Sequence, residues 1–194
     1  MKTVTYEEFL EFDPCWLEEE GGAERLKAYF DRFGGRMSAL DILNLDDVDA
    51  EDKLWSVLRE EFIPAPILRE FACVCAECAL TLIDNPDPRS IKAIEVKRAW
   101  LRGEVTDSEL DAARDAAWDA SSAAMDADRW AATASSAATA SSAAMDASDA
   151  AWNTAWHASE AAWETASAGS RDAASDAARE AQVAYLIMTL EEEE

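Results

Sequence analysis

Histidine is almost missing from this chain, with one residue, His157, in 194. Basic side chains are scarce too: 17 Lys and Arg face 41 Asp and Glu, for a formal net charge of −24. A chain this negative is repelled by nucleic acid and by anionic membranes, so neither is expected as a direct partner. No run of about 20 apolar residues exists, and no transmembrane span is expected. The opening MKTVTYEEFLEF has no apolar h-region, so no secretory leader is expected.

Cysteine is sparse and badly spaced for cross-linking. Three of the four (Cys73, Cys75, Cys78) crowd into six positions of a helical pattern. That is a poor disulfide framework, and a reducing cytoplasm is the expected compartment. The spacing puts Cys75 and Cys78 on one face and Cys73 on the other. A zinc site would need a second ligand pair, and only Cys15 and His157 are on offer. These cysteines therefore read as small apolar residues of a buried helix, and no metal or other cofactor is expected. His157 has no Ser or Cys nucleophile in a recognisable context, and no catalytic constellation is found. The chain is not read as an enzyme.

What the chain has in excess is alanine. Between Asp111 and Ala181 alanine fills 30 of 71 positions, and no proline interrupts. Alanine is the best helix former because it loses no side-chain entropy. Ala113, Ala117, Ala120, Ala124, Ala127, Ala131, Ala134 and Ala138 recur in alternating steps of four and three, a heptad seam of small side chains. Met145, Trp152, Trp156 and Trp163 then continue the stripe. A helix unbroken from Ser108 to Ala168 would be about 90 Å long. The serine pairs at 135–136 and 141–142 compete for backbone hydrogen bonds, so one continuous helix and two broken near 133–142 both stay open. Gly169-Ser170 is read as a cap pair before a last helix to Leu190, whose apolar end VAYLIMTL should dock on the core. Glu191 to Glu194 should fray, since acid opposes the dipole at a helix C-terminus.

The rest of the chain is punctuated for helices. Residues 1–36 read as short helices, with Thr5-x-x-Glu8 a capping box and Asp13-Pro14 a second start. Gly21-Gly22 and Gly34-Gly35 are read as closing segments. Between them Leu26, Tyr29, Phe30 and Phe33 form one apolar side. Ser38-x-x-Asp41 starts a short helix, and a loop feeds another over roughly residues 50–61, with Leu54, Trp55, Leu58 and Phe62 as its buried face. Pro64 and Pro66 precede the strongly apolar helix PILREFACVCAECALTLID, expected at the centre of the N-terminal half. Asp87-Pro88 restarts the chain in a helix that ends at Gly103. That helix carries Lys92, Lys97, Arg98 and Arg102, and these bases are expected to be used in internal ion pairs. Thr106-x-x-Glu109 is a further capping box. The expected fold is all-α: a compact N-terminal helical region over 1–86, then long Ala-rich helices over 87–194 packed as a hairpin or bundle, the two regions being also readable as one continuous domain.

The acidic residues carry the functional reading. Asp107, Asp111, Asp115 and Asp119 repeat every four residues, and Asp126 continues their face. Acid near a helix N-terminus is favourable and solubilises an Ala-rich helix, which is the structural explanation. The functional one is a row of carboxylates about 6 Å apart, the rise of four helical residues. That spacing is comparable to phosphates along a nucleic-acid strand, and suits a Lys/Arg-lined groove.

The stretches Leu68–Leu82, Asp87–Ser90 (DPRS), Lys92–Glu104 (KAIEVKRAWLRGE) and Thr106–Arg114 (TDSELDAAR) resemble a group of Ala-rich proteins from bacterial and phage genomes described as immunity proteins of the polymorphic-toxin kind. The resemblance spans roughly residues 38–182 and is most specific over 87–114. It implies an all-helical, non-catalytic protein that binds and blocks another protein, and it carries over no active-site residues. The expected function is thus an acidic inhibitor of a basic, nucleic-acid-acting partner. That partner is either a nuclease toxin or a defence complex of the kind a phage anti-CRISPR nucleic-acid mimic would block, in the host cytoplasm if phage-encoded. The alternative is a self-associating helical protein whose Ala seam and Trp stripe pair between chains.

Overall fold

A computed structural model describes residues 2–14, 17, 21–81, 86–125 and 168–193. Asp126, His157, the serine pairs, the Met/Trp stripe and Cys15 lie outside the described residues, as do the side chains of Ala120 and Ala124. The described chain is mostly helical, with eight helices and one two-stranded sheet among those residues. Among the described residues no helix is long and apolar enough to cross a membrane.

The fold is all-α as expected, and the N-terminal region adds one small sheet to it. Strand β1 (Thr3–Thr5) pairs antiparallel with β2 (Arg36–Ser38), with Val4 opposite Met37 and both buried. Each strand ends in a helix N-cap. Thr5 caps α1 (Tyr6–Leu10) and Ser38 caps α3 (Ala39–Leu43), both in extended conformation and both with complete capping boxes. An N-cap needs extended backbone, so the approach to each helix is already strand-like. Pairing two such approaches satisfies their backbone groups, and Arg36 locks the pair by donating from Nε to Thr3 Oγ1 at 2.9 Å.

Between the strands, α2 spans Gly22–Arg32. Gly21-Gly22 opens this helix rather than closing the preceding segment, because Gly21 takes a left-handed conformation and stands at the N-cap. Gly34-Gly35 closes α2 as expected, both glycines having positive φ. Asp13 has φ 53°, unlike the extended N-cap the Asp13-Pro14 reading requires; Pro14 instead accepts from the Leu17 N–H in a single turn. The buried side of α2, Leu26 and Phe30, meets Phe9 of α1, with the Phe9 and Phe30 rings edge-on at 5.6 Å.

Helix α4 spans Ala50–Val57, four residues short of the expected end at 61. Arg59 explains the stop. Its guanidinium sits over the Phe12 ring at 4.2 Å and the Trp55 ring at 4.5 Å, and donates to the Trp55 carbonyl at 2.9 Å. It thus satisfies a carbonyl of the last turn and replaces the next turn of helix. Helix α5 (Ala65–Thr81) is buried on most of its circumference, from Leu68 and Phe71 to Ala79 and Leu80. Its many Ala and Cys side chains are small, which lets neighbouring elements approach closely and gain dispersion contacts.

Among the described residues, helices α6 (Pro88–Leu101) and α7 (Asp107–Met125) form the most extensive helix–helix contact and run back along each other as a hairpin. The turn between them is a Schellman cap: Gly103, at φ 73°, donates to the Trp100 carbonyl and Glu104 to that of Ala99, each at 2.9 Å. No neighbouring atom would meet a Cβ on Gly103, so only backbone strain opposes a larger residue there. Gly103→Ala is expected to cost about 1 kcal/mol and to lower Tm by roughly 2–4 °C in thermal unfolding.

The last helix, α8, spans Ala168–Glu192, so Gly169-Ser170 lies in its first turn rather than capping it, and the helix continues through Glu191 and Glu192. Its end docks as expected. Val183, Leu186 and Leu190 are buried, Tyr185 lies 6.1 Å from Phe71, and Arg179 reaches Glu51 of α4 at 3.0 Å. Ala93, Ile94, Ala117 and these α8 residues belong to the same buried cluster as the N-terminal core. The apolar core is therefore continuous across residue 86.

Candidate functional site

The acidic row begins where α7 begins. Thr106 Oγ1 accepts from the Glu109 N–H at 3.3 Å, and the Glu109 carboxylate accepts from the Thr106 N–H at 2.8 Å. These Thr106 hydrogen bonds, the backbone one foremost, hold the Glu109 carboxyl below its ordinary pKa. From that anchored start Asp107, Asp111, Asp115 and Asp119 all lie exposed on α7. Steps of four residues advance 400° at 100° per residue, so the row winds slowly around the helix instead of forming a flat strip.

The start of the row meets α6. Asp107 accepts from the Trp100 indole N–H at 2.7 Å. At the other end the Asp119 charge helps to raise the pKa of Arg89, an effect led by the Arg89–Asp87 hydrogen bond. Asp111 pairs within α7 with Arg114 at 3.6 Å. Asp115 has neither an ion pair nor a hydrogen bond among the described residues. Part of the row thus holds the α6–α7 hairpin together, and Asp115 with the outward oxygens of its neighbours forms the free charge.

The basic residues of α6 do not gather into an anion site. Lys92 pairs with Glu95 at 3.0 Å, and Arg102 with Glu104 at 2.8 Å. Arg98 joins α6 to α5 by donating from Nε to Glu70 at 2.7 Å and from a second nitrogen to Glu77. Glu70 and Glu77 stand two turns apart on one face of α5, so a single guanidinium between them bridges both. Lys97 is buried.

The cysteine geometry differs from the helical-wheel expectation. Cys73 and Cys75 are both buried and Cys78 is exposed, because α5 is enclosed on more than one side along this turn. Burial pushes the Cys73 thiol up to about 11. It stays protonated at neutral pH, which makes it a poor nucleophile. Alkylation of the native protein at pH 8 followed by peptide mapping is expected to modify Cys78 well before Cys73 or Cys75. Equal labelling of the three would contradict the enclosed position of α5. Among the described residues no three His, Cys, Asp or Glu side chains come together as a metal site.

One concave site was not legible from the sequence. A cleft of about 250 Å³ opens between α2 and the α3–α4 segment, lined by Arg25 and Tyr29 on one side and by Asp47, Asp49 and Asp52 on the other. The acidic run at 46–52 reads as an ordinary loop and helix start, and nothing local announces that α2 faces it.

No family model, no curated protein and no solved structure matches this chain.

Proposed function

We propose that this protein is a non-catalytic inhibitor that binds and blocks a basic, nucleic-acid-acting protein in the cytoplasm. The observation that carries the reading is the exposed acidic row on α7 in a chain of net charge −24. A helix held by its cap and by α6 presents these carboxylates at intervals a phosphate-binding groove can follow. Pre-positioned charge of one sign speeds encounter with an oppositely charged partner and disfavours neutral ones. The resemblance of residues 87–114 to immunity proteins points the same way, towards a toxin nuclease or a nucleic-acid-binding defence complex as the target.

The test is a pull-down from the native host lysate on the immobilised protein, washed first at low and then at high salt. The expected result is retention of a basic nucleic-acid-acting protein whose activity falls stoichiometrically when inhibitor is added, with binding that weakens steeply as salt rises. Retention insensitive to salt, or a captured protein whose activity is unchanged, overturns the reading. The self-associating alternative has one observation in its favour: Met188 of α8 is 64% exposed. Light scattering across a concentration series separates the two, because a strict monomer eliminates self-association.

A further inference from the structure

Two cysteines of α5 are neighbours with unequal access to solvent. Cys78 is exposed, while Cys75, three residues earlier on the same side of the helix, is buried. Residues three apart in a helix have Cα atoms about 5 Å apart, inside the roughly 4.4–6.8 Å that a disulfide spans. Their Cβ atoms stand about 5–6 Å apart, wider than the roughly 3.5–4.5 Å of a relaxed bridge. A bond between the two sulfurs therefore asks the helix to give by about 1–2 Å. Cys73 lies two residues from Cys75 and five from Cys78, spacings that place it on neither one's side.

The helix can give at this place. Cys78 begins the last turn of α5, which ends at Thr81. The carbonyls of a last turn have no N–H donors from a following turn, so the backbone there is the least constrained of the helix. The Cys78 carbonyl accepts from the Thr81 hydroxyl at 2.7 Å, and a side-chain donor can follow a shifted carbonyl. Glu77 lies between the two cysteines in sequence and pairs with Arg98 of α6. A change in this turn is thereby passed to the α5–α6 junction.

We propose that Cys78 and Cys75 form a modification site for hydroperoxides, with Cys78 the sulfur attacked first and Cys75 the resolving thiol. In the first step the Cys78 sulfur attacks one oxygen of the hydroperoxide. The O–O bond breaks, Cys78 becomes a sulfenic acid, and the thiol proton leaves with the other oxygen as an alcohol or water. In the second step the Cys75 sulfur attacks the Cys78 sulfur. The S–S bond forms, the S–O bond breaks, and the departing hydroxide takes the Cys75 proton as water. Two thiols lose two electrons in all, and one hydroperoxide gains them. The bridge is strained and lies at the surface, so small thiols reverse it. The site is separate from the α7 row and does not depend on the inhibitor reading.

The test is exposure of the reduced full-length protein to a small excess of hydrogen peroxide, followed by unfolding, alkylation and mapping with a protease that cuts after glutamate. Glu77 separates the two cysteines, so cleavage there leaves two peptides joined only by the bridge. The expected product is a monomer that has lost two hydrogens, carries the Cys75–Cys78 link with Cys73 alkylated, and returns to the starting mass with dithiothreitol. Its Tm should be lower by roughly 5 °C and recover on reduction. The C73S variant should bridge as the unaltered protein does, and C75S should stop at an oxidised Cys78 without an internal link. A Cys78 sulfinic acid beside an unoxidised Cys75 overturns the proposal, as does a link from Cys78 to any other sulfur, within the chain or in a second copy. A Cys75–Cys78 link with unchanged Tm overturns the coupling to α6. The map of the unaltered protein decides the matter even where a variant folds poorly.

Discussion

Leu186→Ala is expected to destabilise the protein by about 3 kcal/mol and to lower Tm by roughly 10 °C. Leu186 is 0% exposed and lies between Val183 and Leu190 on the buried side of α8. The helix packs on α3 and α4, elements more than a hundred residues earlier in the chain. Truncation to alanine removes the apolar contact and leaves a cavity that neighbouring helices can only partly fill. Met188→Ala on the same helix is the control. Its side chain is largely exposed, so the change should fall within about 0.5 kcal/mol of neutral. Differential scanning calorimetry of the two variants gives the answer. Equal shifts would mean that α8 is not docked as described and that the C-terminal end adds nothing to the core.

The triple change Asp111, Asp115 and Asp119 to Asn is expected to weaken binding of the captured basic partner about tenfold or more, a loss of roughly 1.4 kcal/mol. It should also flatten the dependence of that binding on salt. Stability should barely move. Removing like charges at i,i+4 gains a few tenths of a kcal/mol per pair. Against this, the Arg114–Asp111 ion pair is lost, a partly exposed interaction of about the same size. Binding that falls while Tm holds distinguishes recognition from solubilisation. Unchanged affinity at both low and high salt would leave the row as a structural and solubilising feature and remove the main support for the mimicry reading.

The local punctuation was readable with little loss. Capping boxes at Thr5/Glu8, Ser38/Asp41 and Thr106/Glu109 formed as their spacing required, since each involves groups three residues apart. Asp87-Pro88 started α6 for the same reason. The misses share the opposite character. The β1–β2 pair joins residues 31 positions apart or more, and three-residue strands carry no periodicity to read. Gly21-Gly22 can end a helix or begin one, and which it does depends on where α2 packs. Helix α4 stopped early because Arg59 found Phe12, a residue in the turn that follows α1.

The same division runs through the candidate sites. Composition and spacing alone determined the helical class, the negative surface and the four-residue recurrence of aspartate on α7. These are properties of the chain that no packing arrangement can remove. Only the tertiary structure decided which carboxylates remain free. Trp100 takes Asp107, while Asp115 keeps its charge unshared among the described residues, because α6 folds back along α7 at one particular rotation. Only the tertiary structure, likewise, set Asp47 beside Tyr29 over an apolar floor. Hydrogen bonding within a turn is a local property, whereas a cleft exists only where distant segments meet.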